Sequence, residues 1–300
     1  MKEPLVSILI PVYNREKIVS RAIDSALAQT YRNIEIIVCD NASTDNTWDV
    51  LQRYAKQDER VKAFRNETNV GPVRNWKECL KHASGKYGKF LWSDDEIVPS
   101  FTQTMVDAME NNPRCGFAYS SVEIRLKNQI LPNEYELPKS GYYDSKIYVE
   151  GACMGTYSMP VSPGCALFKL STLNRHLLVD IPNEENLNFS RYGAGNDQLL
   201  FLFACEEYDE MYYDEKALSI FYGEADSITM ITPLVRYYTI AIFYFLKRTK
   251  RFKDIRNLYY KGKLFHQVDY YLVPYYRQRR IIYKIHKKFR KLFFVLLTNS

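Results

Sequence analysis

Two adjacent carboxylates, Asp94 and Asp95, follow the apolar run Lys89–Trp92. Such a pair is what a hard divalent cation, Mg2+ or Mn2+, takes from a protein when phosphate oxygens and water complete its shell. The same stretch, Asp94-Asp95-Glu96, could instead do no more than cap the helix that follows. A further carboxylate, Asp197, lies in Gly193-Ala194-Gly195-Asn196-Asp197-Gln198-Leu199-Leu200, a two-glycine loop that opens a helix. There the positive end of the helix dipole stabilises an anion and lowers its basicity. A first-turn Asp is also a common plain cap. Three more polar clusters stand at the ends of apolar runs or at helix starts. They are Pro11-Val12-Tyr13-Asn14, Cys39-Asp40-Asn41-Ala42-Ser43-Thr44-Asp45, and Asn69-Val70-Gly71-Pro72-Val73-Arg74-Asn75.

The elements that must position these groups alternate. Leu5–Val12, Ile34–Asp40, Val61–Arg65, Lys89–Trp92 and Gly116–Val122 read as strands. Arg15–Gln29, Thr44–Gln57, Gly71–Ala83 and Ser100–Asn111 read as amphipathic helices, the second begun by its Ser/Thr/Asp cluster. Strand followed by helix, repeated, predicts an α/β fold with a mainly parallel sheet flanked by helices on both faces. Ligands of such sheets bind beyond the carboxyl ends of the strands. That rule places Tyr13-Asn14, Asp40-Asn41 and Ser93-Asp94-Asp95 on one edge. From Arg125 to Ser162 the pattern loosens into a Pro- and Gly-punctuated connector. Ala166–Leu170 and Ala217–Tyr222 read as later strands, Asn196–Glu207 as a helix, and the chain beyond Thr232 as helical.

In their order and spacing, the four N-terminal features resemble the family 2 glycosyltransferases of the GT-A fold. Val6–Asn14 reads VSILIPVYN, Asp40–Asp45 supplies a D-N-x-S-x-D turn, Asn69–Asn75 a turn into a helix, and Asp94-Asp95 the acidic motif. The likeness covers residues 5–123 and is loose beyond them. It implies a nucleotide-sugar transferase domain over 1–232, with a donor half (1–123) and an acceptor half (124–232), and a helical extension over 233–300. By resemblance, Pro11, Tyr13 and Asn14 frame the base and ribose. Asp40 and Asn41 meet the base, with Asp40 suited to uracil's imino N–H. Arg74 and Asn75 lie close to the donor, and Asp94 and Asp95 hold the metal, Asp94 facing the nucleotide as well. A nucleoside diphosphate gathers negative charge as it leaves, and Mn2+ or Mg2+ across its phosphates stabilises that charge. The chain departs from the family at Trp92, which stands where many members carry the first Asp of D-x-D. Trp cannot ligate a metal, so which of Asp94 and Asp95 is the direct ligand stays open.

The resemblance also asks for a base about one hundred residues after the acidic motif, to take the proton of an acceptor hydroxyl. Asp197 fits that place best, with Asp180, Glu184 and Glu185 as alternatives. One base and no carboxylate nucleophile imply a single in-line displacement with inversion. Met159–Cys165 would border the acceptor cleft, although a Pro/Gly loop leading into a strand explains it equally well.

The net charge of +6 is a local feature. Residues 277–291 hold eight basic side chains (Arg277, Arg279, Arg280, Lys284, Lys287, Lys288, Arg290, Lys291), and no acidic residue follows Asp269. The remaining chain is slightly acidic, which argues against a nucleic-acid partner. Ile281, Ile285, Phe289, Leu292 and Leu296 form an apolar stripe among those cations. The stretch 277–297 therefore reads as a basic amphipathic helix lying on a membrane surface, or else packed on the body or a partner. A lipid-linked glycan acceptor would suit the first placement. Six scattered cysteines read as reduced, buried thiols, Leu5–Val12 as a strand rather than a leader, and no run spans a bilayer. The expected location is cytoplasmic, at the inner face of the cell membrane. Two alternatives remain in view. A nucleotidyltransferase would want a Gly-rich, cationic first loop, which Pro11–Arg15 lacks. A non-catalytic, membrane-associated sugar or protein binder is kept open by Trp92.

Overall fold

The computed structural model describes residues 3–223 and 234–261. The basic stretch 277–297, His266 and His286 lie outside them. β1 (Val6–Val12) and β2 (Ile34–Asp40) are buried at every position, as strands covered on both faces must be. Between and after them come α1 (Val19–Leu27), α2 (Thr47–Gln57), β3 (Val61–Arg65), α3 (Pro72–His82) and β4 (Tyr87–Phe90). β1 pairs in parallel with β2 from Val6↔Ile34 to Val12↔Asp40, but with β4 only from Val6↔Tyr87 to Leu9↔Phe90. β4 thus leaves the sheet three residues before β1 ends. Here the strand order also turns about β1, the switch point where open α/β sheets form a crevice.

The chain continues through β5 (Glu96–Ile97), α4 (Phe101–Asn111), β6 (Cys115–Leu126), β7 (Gln129–Glu134), β8 (Gly141–Asp144) and α5 (Ser145–Met154). It ends through β9 (Ala166–Lys169), α6 (Leu170–His176), α7 (Asn196–Glu207), β10 (Glu210–Gly223), α8 (Val235–Arg248) and α9 (Lys253–Lys261). One sheet results, in the order β3-β2-β1-β4-β9-β6-β10-β5, with β7 added on β6 and β8 on β10. β9 is antiparallel to both β4 and β6, and β10 runs parallel to β6. The expected α/β architecture with helices flanking the sheet forms, but the sheet is mixed: β3-β2-β1-β4 and β6-β10 run parallel, while β5, β7, β8 and β9 pair antiparallel. One apolar core lies under α1, α2 and α4, and another under α3 and α5 to α9.

Three expectations shift. The connector over 125–162 contains β7, β8 and α5. Pro132 hid β7, yet β7 pairs on one side alone, where a missing N–H is tolerated. β10 begins at Glu210, not Ala217. Its polar Asp214-Glu215-Lys216 sits at a register shift between Asp214 and Ala217, so the alternation breaks while the strand continues. α1 begins at Val19 rather than Arg15, because residues 15–18 close a turn in which the Ile18 and Val19 N–H groups both donate to the Arg15 carbonyl.

α7 is buried on nearly all sides, the mark of a central helix. Its Phe201 meets Phe117 edge-on at 5.1 Å and Phe168 at 4.9 Å, and stacks on Tyr148 at 5.2 Å. Asp197 stands one helical turn before Phe201 and so shares its face. We expect Phe201→Ala to lower stability by about 3–5 kcal/mol through the cavity it opens, read as a fall in the urea midpoint with an unchanged slope.

Candidate functional site

The loops that leave β1 and β2 are laced to each other. Asn14, with φ of 51°, donates its N–H to Ser43 Oγ at 2.9 Å, and its Oδ1 accepts the Thr44 N–H at 2.8 Å. The Arg15 N–H reaches Thr47 Oγ1 at 2.8 Å, the Glu16 N–H reaches Asp45 Oδ2 at 3.1 Å, and Glu16 Oε2 accepts the Asn46 N–H at 3.0 Å. The Ser/Thr/Asp cluster therefore chiefly braces two loops; α2 starts only at Thr47, after Asn46, and not at Thr44, with Asp45 Oδ1 accepting the Thr47 N–H at 3.0 Å. Ala42, at φ 59°, is held in a region a side chain rarely adopts.

Asp40 is fully buried inside this lacing. It accepts from the Ser43 hydroxyl and, at 3.1 Å, from the Ser43 N–H, and it pairs with Arg65 Nε at 3.2 Å. A carboxylate has about four acceptor sites, so these three donors leave room for one more. Asn41 and Asn75 are also buried. The Asn41 amide is engaged by Asn69, Asn66 and the Val70 N–H. Asn75 donates to the Cys39 carbonyl at 2.9 Å and accepts from Asn66 at 3.0 Å. Both shape the rim from behind. Pro11 is buried in β1 beyond its last pair with β4. Tyr13 and Arg74 are the exposed members of the set.

Beyond β4 the chain makes a tight turn, with the Asp95 N–H on the Trp92 carbonyl at 3.0 Å. Asp94 is half-buried, and the Arg21 guanidinium donates to its carbonyl. Asp95 is buried and accepts the Tyr222 N–H at 2.9 Å, which ties the acidic turn to the end of β10. Burial, and then the neighbouring Asp94, push its carboxyl well above the usual carboxylate range. Glu96 enters β5, and α4 starts only at Phe101 after Ser100. The acidic triplet therefore does not cap that helix. Beneath the turn lies Lys89, with no exposure to solvent, donating to the Phe90 carbonyl at 3.0 Å and to the Gly164 carbonyl. Burial brings its ammonium down to about 7, against the pull of Cys165 and Asp95.

Asp197 closes the other side. Its Oδ1 accepts the Gly195 and Gln198 N–H groups at 2.8 and 2.7 Å, and its Oδ2 accepts the Tyr238 hydroxyl at 3.0 Å. The expectation of lowered basicity is corrected. Burial outweighs these donors and the helix dipole, and the carboxyl is pushed up to about 7. Gly193, at φ 73°, gives the loop its close approach, because a Cβ there would fall inside the Trp76 ring. Trp76 in turn lies 4.9 Å from Trp92, and the Trp92 indole N–H donates to Ser162 at 2.8 Å. The Asp197 loop is thus linked through two indoles to the acidic turn, and the Ser162–Cys165 stretch lies beside both. Among the alternatives, Glu185 pairs with Arg236, and Asp180 accepts the Ile181 and Phe189 N–H groups.

Lys89, Tyr222, Tyr238 and Trp76 were not singled out from the sequence. Lys89 alone left a trace there, as an ammonium inside an otherwise apolar strand. Tyr222 acts through its backbone, and Tyr238 arrives from a helix distant in sequence, so neither leaves a local signal.

The residues present can be tested against a divalent cation. Among the described residues, no group of three or more His, Cys, Asp or Glu is gathered as a cage. The turn offers Asp94 and the remaining oxygen of Asp95, which fits a cation that completes its shell with phosphate and water. A positive ion there would also relieve the repulsion that disfavours the Asp95 anion.

A sequence model of the family described as Glycosyl transferase family 2 matches residues 7–171. The chain is 35% identical over 150 residues to the UDP-Glc:alpha-D-GlcNAc-diphosphoundecaprenol beta-1,3-glucosyltransferase of Escherichia coli, covering 50% of this chain and 58% of that one. It is 29% identical over 229 residues to the GalNAc(5)-diNAcBac-PP-undecaprenol beta-1,3-glucosyltransferase of Campylobacter jejuni, covering 76% and 68%. The match to the first of these relatives therefore spans less than two thirds of its length. In fold, the chain is similar to S. aureus TarS 1-349 in complex with UDP-GlcNAc. That likeness has a TM-score of 0.67 and 18% identity, and covers 85% of this chain and 70% of that one.

A test of the buried Asp197 carboxyl follows from linkage. Its folded-state value of about 7 exceeds the ordinary 3.8, so the folded protein holds its proton more tightly. Stability is lost as pH rises between those values. We expect Asp197→Asn to be less sensitive over this range, and to gain on the parent by up to a few kcal/mol as pH goes from 5 to 8, measured by urea melts at both.

Proposed function

We propose, from the premise that this chain belongs to glycosyl transferase family 2, that it transfers a sugar from a UDP-sugar to a hydroxyl of a polyprenyl-diphosphate-linked glycan, with inversion. The observation that supports this is the placement of three buried carboxylates at element ends. Asp40 ends β2, Asp95 follows β4, and Asp197 opens α7, linked to the acidic turn through Trp76 and Trp92.

Tyr13 and the laced loops offer the nucleotide a surface at the ends of β1 and β2. Arg65 and Ser43 fix the Asp40 side chain at the end of β2. Asp94 and Asp95 are the residues that would hold a divalent cation, Mn2+ or Mg2+, and that ion would supply charge neutralisation to the departing diphosphate. Asp197 takes the acceptor proton on Oδ1 or Oδ2. Its value near 7 suits a base that must be ionised at working pH yet remain willing to accept a proton. Tyr238 and the Gly195 and Gln198 N–H groups fix the direction of the carboxylate. Trp92, at the first position of the D-x-D, leaves metal binding to Asp94 and Asp95.

The donor class and the lipid-linked acceptor are carried over from the names of the relatives. Work on a polyprenyl substrate at the inner membrane face accords with the basic stretch 277–297. Among the described residues, no helix is long and apolar enough to cross a membrane.

The reading is tested with UDP-glucose and an N-acetylglucosaminyl-diphosphoryl-octane acceptor. Asp94→Asn and Asp95→Asn should each lower kcat by roughly 10²-fold or more, and Asp197→Asn by roughly 10²- to 10⁴-fold. In the parent, kcat/KM should rise with pH through about 7 and then level, since the active form of Asp197 is deprotonated. EDTA should abolish turnover and Mn2+ restore it. A product that retains the donor's anomeric configuration, or an Asp197→Asn variant with parental activity, sinks the mechanism.

A further inference from the structure

We propose that the solvent-facing part of the Trp92 indole is a stacking platform for a pyranose ring of the acceptor glycan, and that it selects which acceptor sugar is used. This rests on the transfer reading above and names a specificity-determining residue within it.

The indole is held from within. Trp76 lies at 4.9 Å, tilted by 40°, and Phe90 at 5.7 Å, nearly parallel at 19°. The Nε1–H is fixed on Ser162 Oγ at 2.8 Å. Gly164 is the only residue type that lets the ring edge lie down on the backbone there, since a Cβ would stand 2.9 Å from Nε1 and 3.0 Å from Cδ1. Yet the residue is not fully enclosed. Phe90 has no exposure and Trp76 7%, while Trp92 is half-buried. A side chain that only filled the core would be as buried as these two neighbours.

A clamped aromatic surface loses little entropy when something binds to it. A pyranose matches it in chemistry. The C–H groups on one sugar face meet the negative face of the ring, and the hydroxyls point outward to polar partners. Position favours the acceptor over the donor. The surfaces suited to the nucleotide stand at the ends of β1 and β2. Trp92 follows β4 on the side of β9 and the Ser162–Cys165 turn. It lies one indole away from the Gly193 loop that carries Asp197, and the acceptor hydroxyl must meet that carboxylate.

The test uses the full chain and its Trp92→Ala, Trp92→Phe and Trp92→Asp variants. Trp92→Ala should raise the KM for N-acetylglucosaminyl-diphosphoryl-octane by roughly tenfold, Trp92→Phe should recover most of it, and the KM for UDP-glucose should move by less than about twofold. Trp92→Asp, which restores the family's acidic residue, should behave like Trp92→Ala. With 5-fluorotryptophan at the three Trp positions, the ¹⁹F signal missing from Trp92→Phe should shift when the octyl acceptor is titrated in. A rise in the UDP-glucose KM instead of the acceptor KM overturns the proposal. So does a Trp92 signal that stays still at saturating acceptor. If the parent turns over no UDP-glucose, the transfer reading fails, and the ¹⁹F titration decides the platform by itself. It decides equally if Trp92→Ala does not fold.

Discussion

Keeping charge out of water is the constraint around which the crevice is organised. Asp40, Lys89, Asp95 and Asp197 all have less than a tenth of their surface exposed. Removing an ion from water costs several kcal/mol unless partners replace the solvent. Each has such partners: Ser43 and Arg65 for Asp40, two backbone carbonyls for Lys89, the Tyr222 N–H for Asp95, and two N–H groups with a tyrosine hydroxyl for Asp197. The compensation is incomplete in the last three, and their proton affinities move accordingly. A site in which charge is already poorly solvated responds strongly to the arrival of an anion, a cation or a proton.

One helix connects the two sides. α3 starts after Gly71, whose φ of 84° lets the chain turn in. Its Asn75 holds the end of β2 through the Cys39 carbonyl, and its Trp76, the next residue, supports the Asp197 loop. Neighbouring residues on a helix point about 100° apart, so a single turn can brace two walls of one cleft. The separation between the end of β2 and the Asp197 loop is thereby set by a rigid element rather than by a loop.

The parallel part of the fold was legible because its strands are uniformly apolar and its helices periodic. Ile34–Asp40 and Asn196–Glu207 were bounded from the sequence as they stand in the structure. Edge strands carry weaker signals: β7 contains a proline and β8 is four residues long. At the site, the carboxylates are legible in the sequence but their surroundings are not. Asp197 illustrates why. The helix-dipole argument is local and visible, while the burial that overrides it depends on packing with α8, far along the chain. Likewise, nothing local told that Asn41 and Asn75 would turn their amides inward on one another's loops.

β9 carries a consequence for how the molecule comes to be made. Its four residues, 166–169, join β4 to β6 by pairing antiparallel with both. When synthesis has reached Leu126, β4 lacks its partner along one edge, and β6 lacks partners along both, since β7, β9 and β10 all follow it. Unpaired edges of this kind invite pairing with other chains. The free edge of β4 is covered only once residues 166–169 exist, and the far edge of β6 only once residues 210–223 do, so the nascent sheet stays open to misassembly until its last long strand is made.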